Sequence, residues 1–409
     1  MLQKFIDKNF FYLFTFTLIF GVIFYDLIRF SYTDEICTLL LFVLFCYKVV
    51  KTPNWEFNKL FLFVLGVFLF YLIYSFAIGS NSKKAIVLDF ILQLKPYIGF
   101  FCVYALAPRL SQGQKVIIRQ LVFLFTLYLL AIGLTYLVYP KIIDFTLGHE
   151  SRLATAVSIL AMLYLYCTDY TPKDKFVFIM ILLVGILSGR SKFYGFCALS
   201  TLMVLFINNS FQMKFTLKNS IIFAIILAAT IYVAYDKINF YFIQGGIGTG
   251  KEETDLYARI ALYYFSVPLL LKYIPFGSGF ATYGTHASSE YYSKIYEEFG
   301  MDRLYGLSKN ADPNFISDTY YPALAQFGFV GVFLFFWFWL YLVKQAIKGF
   351  LAGYKKEAVA ACLIIFFFLI ECTSDSTITH NRGLFMMMLL GLIFGDMKNG
   401  EKSQKEFKE

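Results

Sequence analysis

The chain has 409 residues, 59% of them hydrophobic and only 15% charged, where a soluble domain carries roughly 25% charged residues, so a soluble globular fold is excluded. Its 36 lysines and arginines outnumber 27 acidic residues for a net charge of +9. The basic residues are scattered between apolar runs and form no block or stripe, which argues against nucleic acid as a partner.

The apolar residues number about 241, enough for about 12 spans at roughly 20 residues each. In chain order the apolar runs fall at about 9–28, 36–50, 60–79, 85–107, 117–139, 153–168, 176–189, 193–207, 220–235, 323–343, 357–371 and 384–395. They predict an all-α polytopic integral membrane protein with about 12 transmembrane helices. The first run is read as a span rather than a cleavable signal, because no small-residue cleavage pattern follows it. Runs of 14–16 residues fall short of the usual spanning length, so their helices extend into polar flanks or sit among neighbours. Asp89, Lys95 and Pro96 interrupt one apolar run. They pair with each other, line a cavity or mark a broken helix.

The tract 236–322 differs: it holds Gly, Pro, charges and many tyrosines. It reads as one large loop inserted in a single membrane domain, 1–409, with an amphipathic helix from Arg259 to Ile274 lying at the interface. Within it, Gly245-Gly246-Ile247-Gly248-Thr249-Gly250-Lys251 imitates a phosphate loop. Glu252 stands where the magnesium-binding hydroxyl belongs, and no buried strand precedes it, so a flexible loop is the better reading.

Lysines in the short joins orient the chain. Twelve crossings gather both termini and the joins at 48–59, 109–119, 169–175, 208–219 and 344–356 on one side, which carries most lysines and is assigned to the cytoplasm. The arginines break this rule: Arg29, Arg152, Arg190, Arg259, Arg303 and Arg382 fall on the opposite side, most of them beside a helix end. A guanidinium near hydrocarbon is costly and tends to be kept for a partner, and its planar fork grips phosphate bidentately. The cluster therefore points to an anionic lipid headgroup, with a diphosphate as the strongest case; the alternative is that each arginine snorkels or pairs with a local carboxylate.

His149, His286 and His380 share that side without metal-type spacing. His286 is either a general base or a solvated loop residue. The seven cysteines lie in or beside apolar runs with no ligand spacing and read as small core or lipid-facing residues. No metal or cofactor is expected.

Four pieces now form a familiar pattern. Arg152 precedes Leu-Ala-Thr-Ala at a helix start, and Leu187-Ser188-Gly189-Arg190-Ser191 ends another helix. Arg259 opens an amphipathic run leading to Pro275-Phe276-Gly277-Ser278-Gly279-Phe280, and Ser317-Asp318-Thr319-Tyr320-Tyr321 precedes Gly328-Phe329-Val330-Gly331. In order and spacing over most of the chain, this resembles the O-antigen polymerase and ligase superfamily of bacterial envelope proteins. Members of that superfamily have one large periplasmic loop late in the chain.

The resemblance implies a metal-independent membrane glycosyltransferase in the inner membrane. It would move a growing glycan from undecaprenyl diphosphate to the non-reducing end of another lipid-linked repeat unit, at the periplasmic face. Ligases carry a His-Asn pair where this chain has Ser317 and Asp318, which favours polymerase over ligase. Arg190 and Arg259 would hold the diphosphate, with Arg152 as a third contact and Arg382 supporting them. Asp318 is the candidate base or else a helix cap, and His286 is the other candidate base. Tyr320 and Tyr321 would stack on sugar. The implied partners are the undecaprenyl-diphosphate-linked oligosaccharide, the bilayer, a chain-length regulator and a flippase. The competing readings are a ligase and a lipid-linked oligosaccharide flippase or transporter. Transport predicts charges through successive helices, and only Asp89 with Lys95 departs from the one-sided pattern.

Overall fold

The computed structural model describes residues 1–28, 30, 32–53, 55–207 and 251–406, with backbone alone at 251–257 and 401–406. The run at 220–235, the glycine tract at 245–250 and Arg29 lie outside the described residues. Among the described residues the fold is all-helical, with no strand.

Polar residues between the apolar runs cut the chain into helices. Helix α1 (Leu2–Phe16) continues as a π-helical stretch over Thr17–Ile23, followed by the short α2 (Tyr25–Ile28) and by α3 (Thr33–Lys51). Asn58 caps α4 (Lys59–Ile78) through the Leu60 N–H at 2.9 Å, and Gly79 in the left-handed region closes it. Ser82 caps α5 (Lys83–Leu106), and a reciprocal Ser111–Gln114 capping box opens α6 (Gln112–Val138). Next come α7 (Ile142–Thr146), α8 (Glu150–Tyr166), α9 (Pro172–Val184) with its Thr171–Asp174 box, and α10 (Ser191–Phe206).

Further along, α11 (Lys251–Lys272) carries the run predicted as amphipathic, and α12 (His286–Glu290) and α13 (Lys294–Glu298) follow. This region has a small apolar core of its own, including Leu262, Tyr283, Tyr296 and Ile316. The chain then runs through α14 (Tyr320–Ala323), α15 (Gly328–Leu351), α16 (Lys355–Glu371) and α17 (Asn381–Glu406).

Five helical stretches among the described residues are long and apolar enough to cross a membrane: Leu2–Ile23, Lys59–Ile78, Lys83–Leu106, Gln112–Val138 and Tyr320–Leu351. That is the character of a membrane-embedded helical protein. The runs at 153–168, 357–371 and 384–395 become α8, α16 and the first half of α17, which are buried along nearly their whole length. A helix apolar all round and enclosed in this way is a core helix. By contrast, α4 turns most of its surface outward. All seven cysteines are free, and six of them are buried.

Lys48 and Lys356 mark one end of the bundle, and Arg152, Arg190, Arg259 and Arg382, together with Lys192, mark the other. At one end the Lys48 ammonium donates to the Leu106 carbonyl at 2.6 Å, Gln3 to the Ala107 carbonyl at 3.3 Å, and Lys356 to the Thr168 carbonyl at 3.0 Å. Asp396 near the end of the chain accepts from Tyr166 at 2.8 Å, so residues near both termini share this lysine end. The opposite end gathers α2, the starts of α3, α5, α8 and α10, and the segment Cys372–Arg382, which leads from α16 into the start of α17.

Candidate anion site at the arginine end

The site is built from helix ends. Helix α8 starts at Glu150 with His149 as its N-cap, and the preceding Gly148 has φ 71°. A side chain at Gly148 would run into the Arg152 guanidinium, so glycine both permits the turn and leaves room for that arginine. Arg152 reaches Asp26 on α2, and Arg382 at the start of α17 reaches the same carboxylate at 2.8 Å. The Asp26 side chain, 7% exposed, accepts both guanidinium groups, and Asp375 is a second carboxylate whose charge reaches Arg382. The neighbouring Asn381 side chain donates to the Gly21 carbonyl in the π-helical stretch. The first two residues of α17 thus fix the end of α1 and, through it, Asp26.

On the other flank of α8, Arg190 caps the start of α10 and pairs with Glu150 at 2.6 Å. It also meets His149 Nε2 at 2.8 Å. Burial and the adjacent Arg190 both lower the His149 pKa below its usual value. Two residues on, Lys192 pairs with Glu371 at 2.7 Å and with Asp375 at 3.3 Å. Burial alone would raise the Asp375 carboxyl, but Lys192, the Thr377 hydroxyl and His380 together outweigh it and hold Asp375 at about 2.

The segment Cys372–Arg382 joins these groups. The Tyr321 N–H donates to the Cys372 carbonyl at 3.2 Å, and the Tyr263 hydroxyl donates to the Thr373 carbonyl at 2.7 Å. Arg259, one helical turn before Tyr263, pairs with Asp318 at 2.9 Å. The four arginines expected to bind diphosphate, Arg152, Arg190, Arg259 and Arg382, each already hold a carboxylate, and of them Arg382 alone lies within Cys372–Arg382. Local pairing, the alternative weighed for each arginine, is what the side chains show. Even so, the Nε atoms of Arg190, Arg259 and Arg382 are buried with no acceptor among the described residues. A guanidinium has five N–H donors, and these forks are only partly used.

Several expected residues stand elsewhere. Tyr320 is buried: its ring packs 5.6 Å from Phe335 and its hydroxyl donates to Gln93 at 2.9 Å. Tyr321 commits its hydroxyl to the Leu369 carbonyl at 2.7 Å. In this arrangement the two rings pack the bundle rather than offering a sugar platform. His286 is well exposed and meets Glu290 one turn along at 3.3 Å. Arg303 is exposed on a 3-10 turn, Met301–Arg303.

Asp89 and Lys95 do not pair. Asp89 accepts from the Ala281 N–H at 2.7 Å, and Lys95 is buried against Asp34 and Glu35, the latter at 2.7 Å. Helix α5 runs unbroken through Pro96. The glycine motifs before α15 are packing devices: Gly277 and Gly328, with φ 80° and 60°, press backbone against backbone, and the Gly279 N–H donates to the Gln326 carbonyl at 2.8 Å.

Sequence reasoning missed the carboxylates Asp26, Glu150, Glu371 and Asp375, and also Lys192. Their one local signal is position: each is a charge at a helix end on the arginine side. No family model matches the chain, and no curated protein matches it.

Proposed function

We propose that the protein is a membrane glycosyltransferase that polymerises polysaccharide, taking its glycan from a lipid diphosphate at the arginine end. In this reading the bundle makes twelve crossings of the bacterial inner membrane, with the lysine end cytoplasmic and the arginine end and the loop 236–322 periplasmic. The observation that supports it is that Arg190, Arg259 and Arg382 each keep a buried Nε donor with no acceptor among the described residues. A diphosphate presents more acceptor oxygens than the carboxylates it would displace or share.

The leaving group needs charge neutralisation more than a proton. Arginine forks that bind more tightly as charge builds on the departing diphosphate lower the barrier. Arg152 and Arg382, which share Asp26, form the grip, while Arg190 and Arg259 flank it. The acceptor is the non-reducing-end hydroxyl of a second lipid-linked repeat unit, and a flippase and a chain-length regulator would serve the same pathway. Asp89 and Lys95, the features that favoured a transporter, hold the loop and the start of α3 to α5. That use supports an enzyme.

The test is to incubate the purified protein with a lipid-diphosphate-linked repeat unit extracted from cells that make it. A ladder of longer products is expected; single transfer to a foreign acceptor would make the protein a ligase, and no transfer would end the reading.

A further inference from the structure

We infer that α11 docks on the bilayer itself, through a second apolar stripe that sinks into the leaflet at the arginine end. Helix α11 has two apolar faces. At about 100° per residue, Ala258, Leu262 and Leu269 fall within about 40° of one another on one face, and all three are buried in the core of the loop region. Ile260, Tyr264, Val267 and Leu271 fall within about 60° of one another on the opposite face. They are 52%, 70%, 56% and 59% exposed. No charged residue lies in that stripe: Arg259 and Lys272 leave the flanks and pair with Asp318 and Glu298.

A single apolar face would be used up by the loop core. A helix turned to water on its outer side carries polar residues there, and four large apolar side chains in one row mark a contact surface rather than scattered exposure.

The way α11 is held says what the surface meets. Near its start the Tyr263 hydroxyl donates to the Thr373 carbonyl at 2.7 Å, two residues past the end of α16. Just beyond its end, the Tyr74 hydroxyl in the last turns of α4 donates to the Gly277 carbonyl at 2.9 Å, and the Val330 N–H at the start of α15 donates to the Pro275 carbonyl at 3.3 Å. Both attachments are to helix termini at the arginine end, so α11 lies across that end and not along the bundle. Its stripe also joins the outward surface of the spans. Ile274 is exposed, the Phe276 ring packs 5.1 Å from Phe70 on α4, and Ile73 on α4 and Phe333 on α15 point outward beside them. Lipid covers the outward side of α4 and α15, and the same lipid covers the stripe that continues it. With both flanking cations already paired, the docking is apolar rather than electrostatic. It sets Arg259, on the flank of α11, at the depth of the lipid headgroups. The inference rests on the two faces of α11 and stands apart from glycan transfer.

The test uses the full chain in phosphatidylcholine vesicles, with Cys46, the one native thiol that is not buried, changed to alanine. Nitroxide labels go on Tyr264→Cys, Val267→Cys and Leu271→Cys in separate proteins. Ile73→Cys on α4 serves as the lipid reference, and Arg303→Cys on its exposed turn as the water reference. All five positions are exposed, so the substitutions leave the packing alone, and three sites keep the answer from resting on one variant. Collision with oxygen, which concentrates in hydrocarbon, is compared with collision with a water-soluble nickel chelate. The oxygen-to-nickel ratio on the stripe should fall within about threefold of the Ile73 value and about tenfold or more above the Arg303 value. Ratios like that of Arg303 at all three sites mean water on the stripe and overturn the inference. Weak collision with both reagents means cover by protein and overturns it equally.

Discussion

The two ends of the bundle use their cations differently. At the lysine end, Lys48 and Lys356 donate to carbonyls at helix C-termini, and Lys175 and Lys398 lie 4.2 and 4.9 Å from the ring centres of Tyr170 and Tyr104. Such contacts with partial charges suit side chains that anchor helix ends. At the arginine end, Arg152, Arg190, Lys192, Arg259 and Arg382 each hold a carboxylate. Lys356 also pairs with Glu357 at 3.4 Å, so the contrast is one of degree: carboxylates dominate at the arginine end, and under the proposed function they are what a substrate anion would replace.

The hardest way to break this contrast is to remove a buried cation from the arginine end. Lys192→Met leaves Glu371, which is 5% exposed, without its countercharge. Thermal unfolding in micelles should show a loss of about 3 kcal/mol or more. The double variant Lys192→Met with Glu371→Leu should recover most of it, since an apolar pair of similar volume replaces an ion pair at little cost. A single variant as stable as wild type would mean that solvent, not Lys192, satisfies Glu371.

Arg382→Lys asks whether the fork matters beyond its charge. Lysine keeps the charge near Asp26 but not the planar donors, so the fold should survive while polymer formation in cells falls about 100-fold, the scale of losing one preorganised donor. Undiminished long chains would remove Arg382 from the proposed grip. Gly148→Ala is a milder probe. A left-handed alanine costs about 1–2 kcal/mol, and its methyl would also push Arg152 off Asp26. Both stability and polymer length should fall, less than for Arg382→Lys in polymer length.

The apolar runs were legible in the sequence because they are written locally, residue by residue. The pairs were not, because their partners lie far along the chain: Asp26 meets residues 126 and 356 positions away. Asp89 and Lys95 looked like a pair, but six residues of helix turn through about 600°, so the side chains leave α5 roughly 120° apart. Tyr320 was expected to stack on sugar. The short α14 instead turns it inward onto Gln93 and Phe335. The full burial of α8, α16 and α17 was equally hidden, since an apolar run reads the same whether lipid or protein surrounds it.

The smallest expected effect belongs to the lysine end. Lys356 donates to the Tyr166 and Thr168 carbonyls at 3.3 and 3.0 Å where α8 ends. Lys356→Ala removes these contacts, but the Cys167 N–H still bonds within the helix and water can reach an end that the lysine itself reaches from solvent. The loss should be about 0.5–1 kcal/mol, with polymer length unchanged. The same substitution also weakens the positive charge that orients the chain, so the fraction of protein inserted with the lysine end in the cytoplasm should be measured alongside, by outside-only labelling at the loop residue Lys251. A stable, correctly inserted Lys356→Ala protein that nevertheless makes short polymer would tie the lysine end to catalysis and erase the division of labour between the two ends.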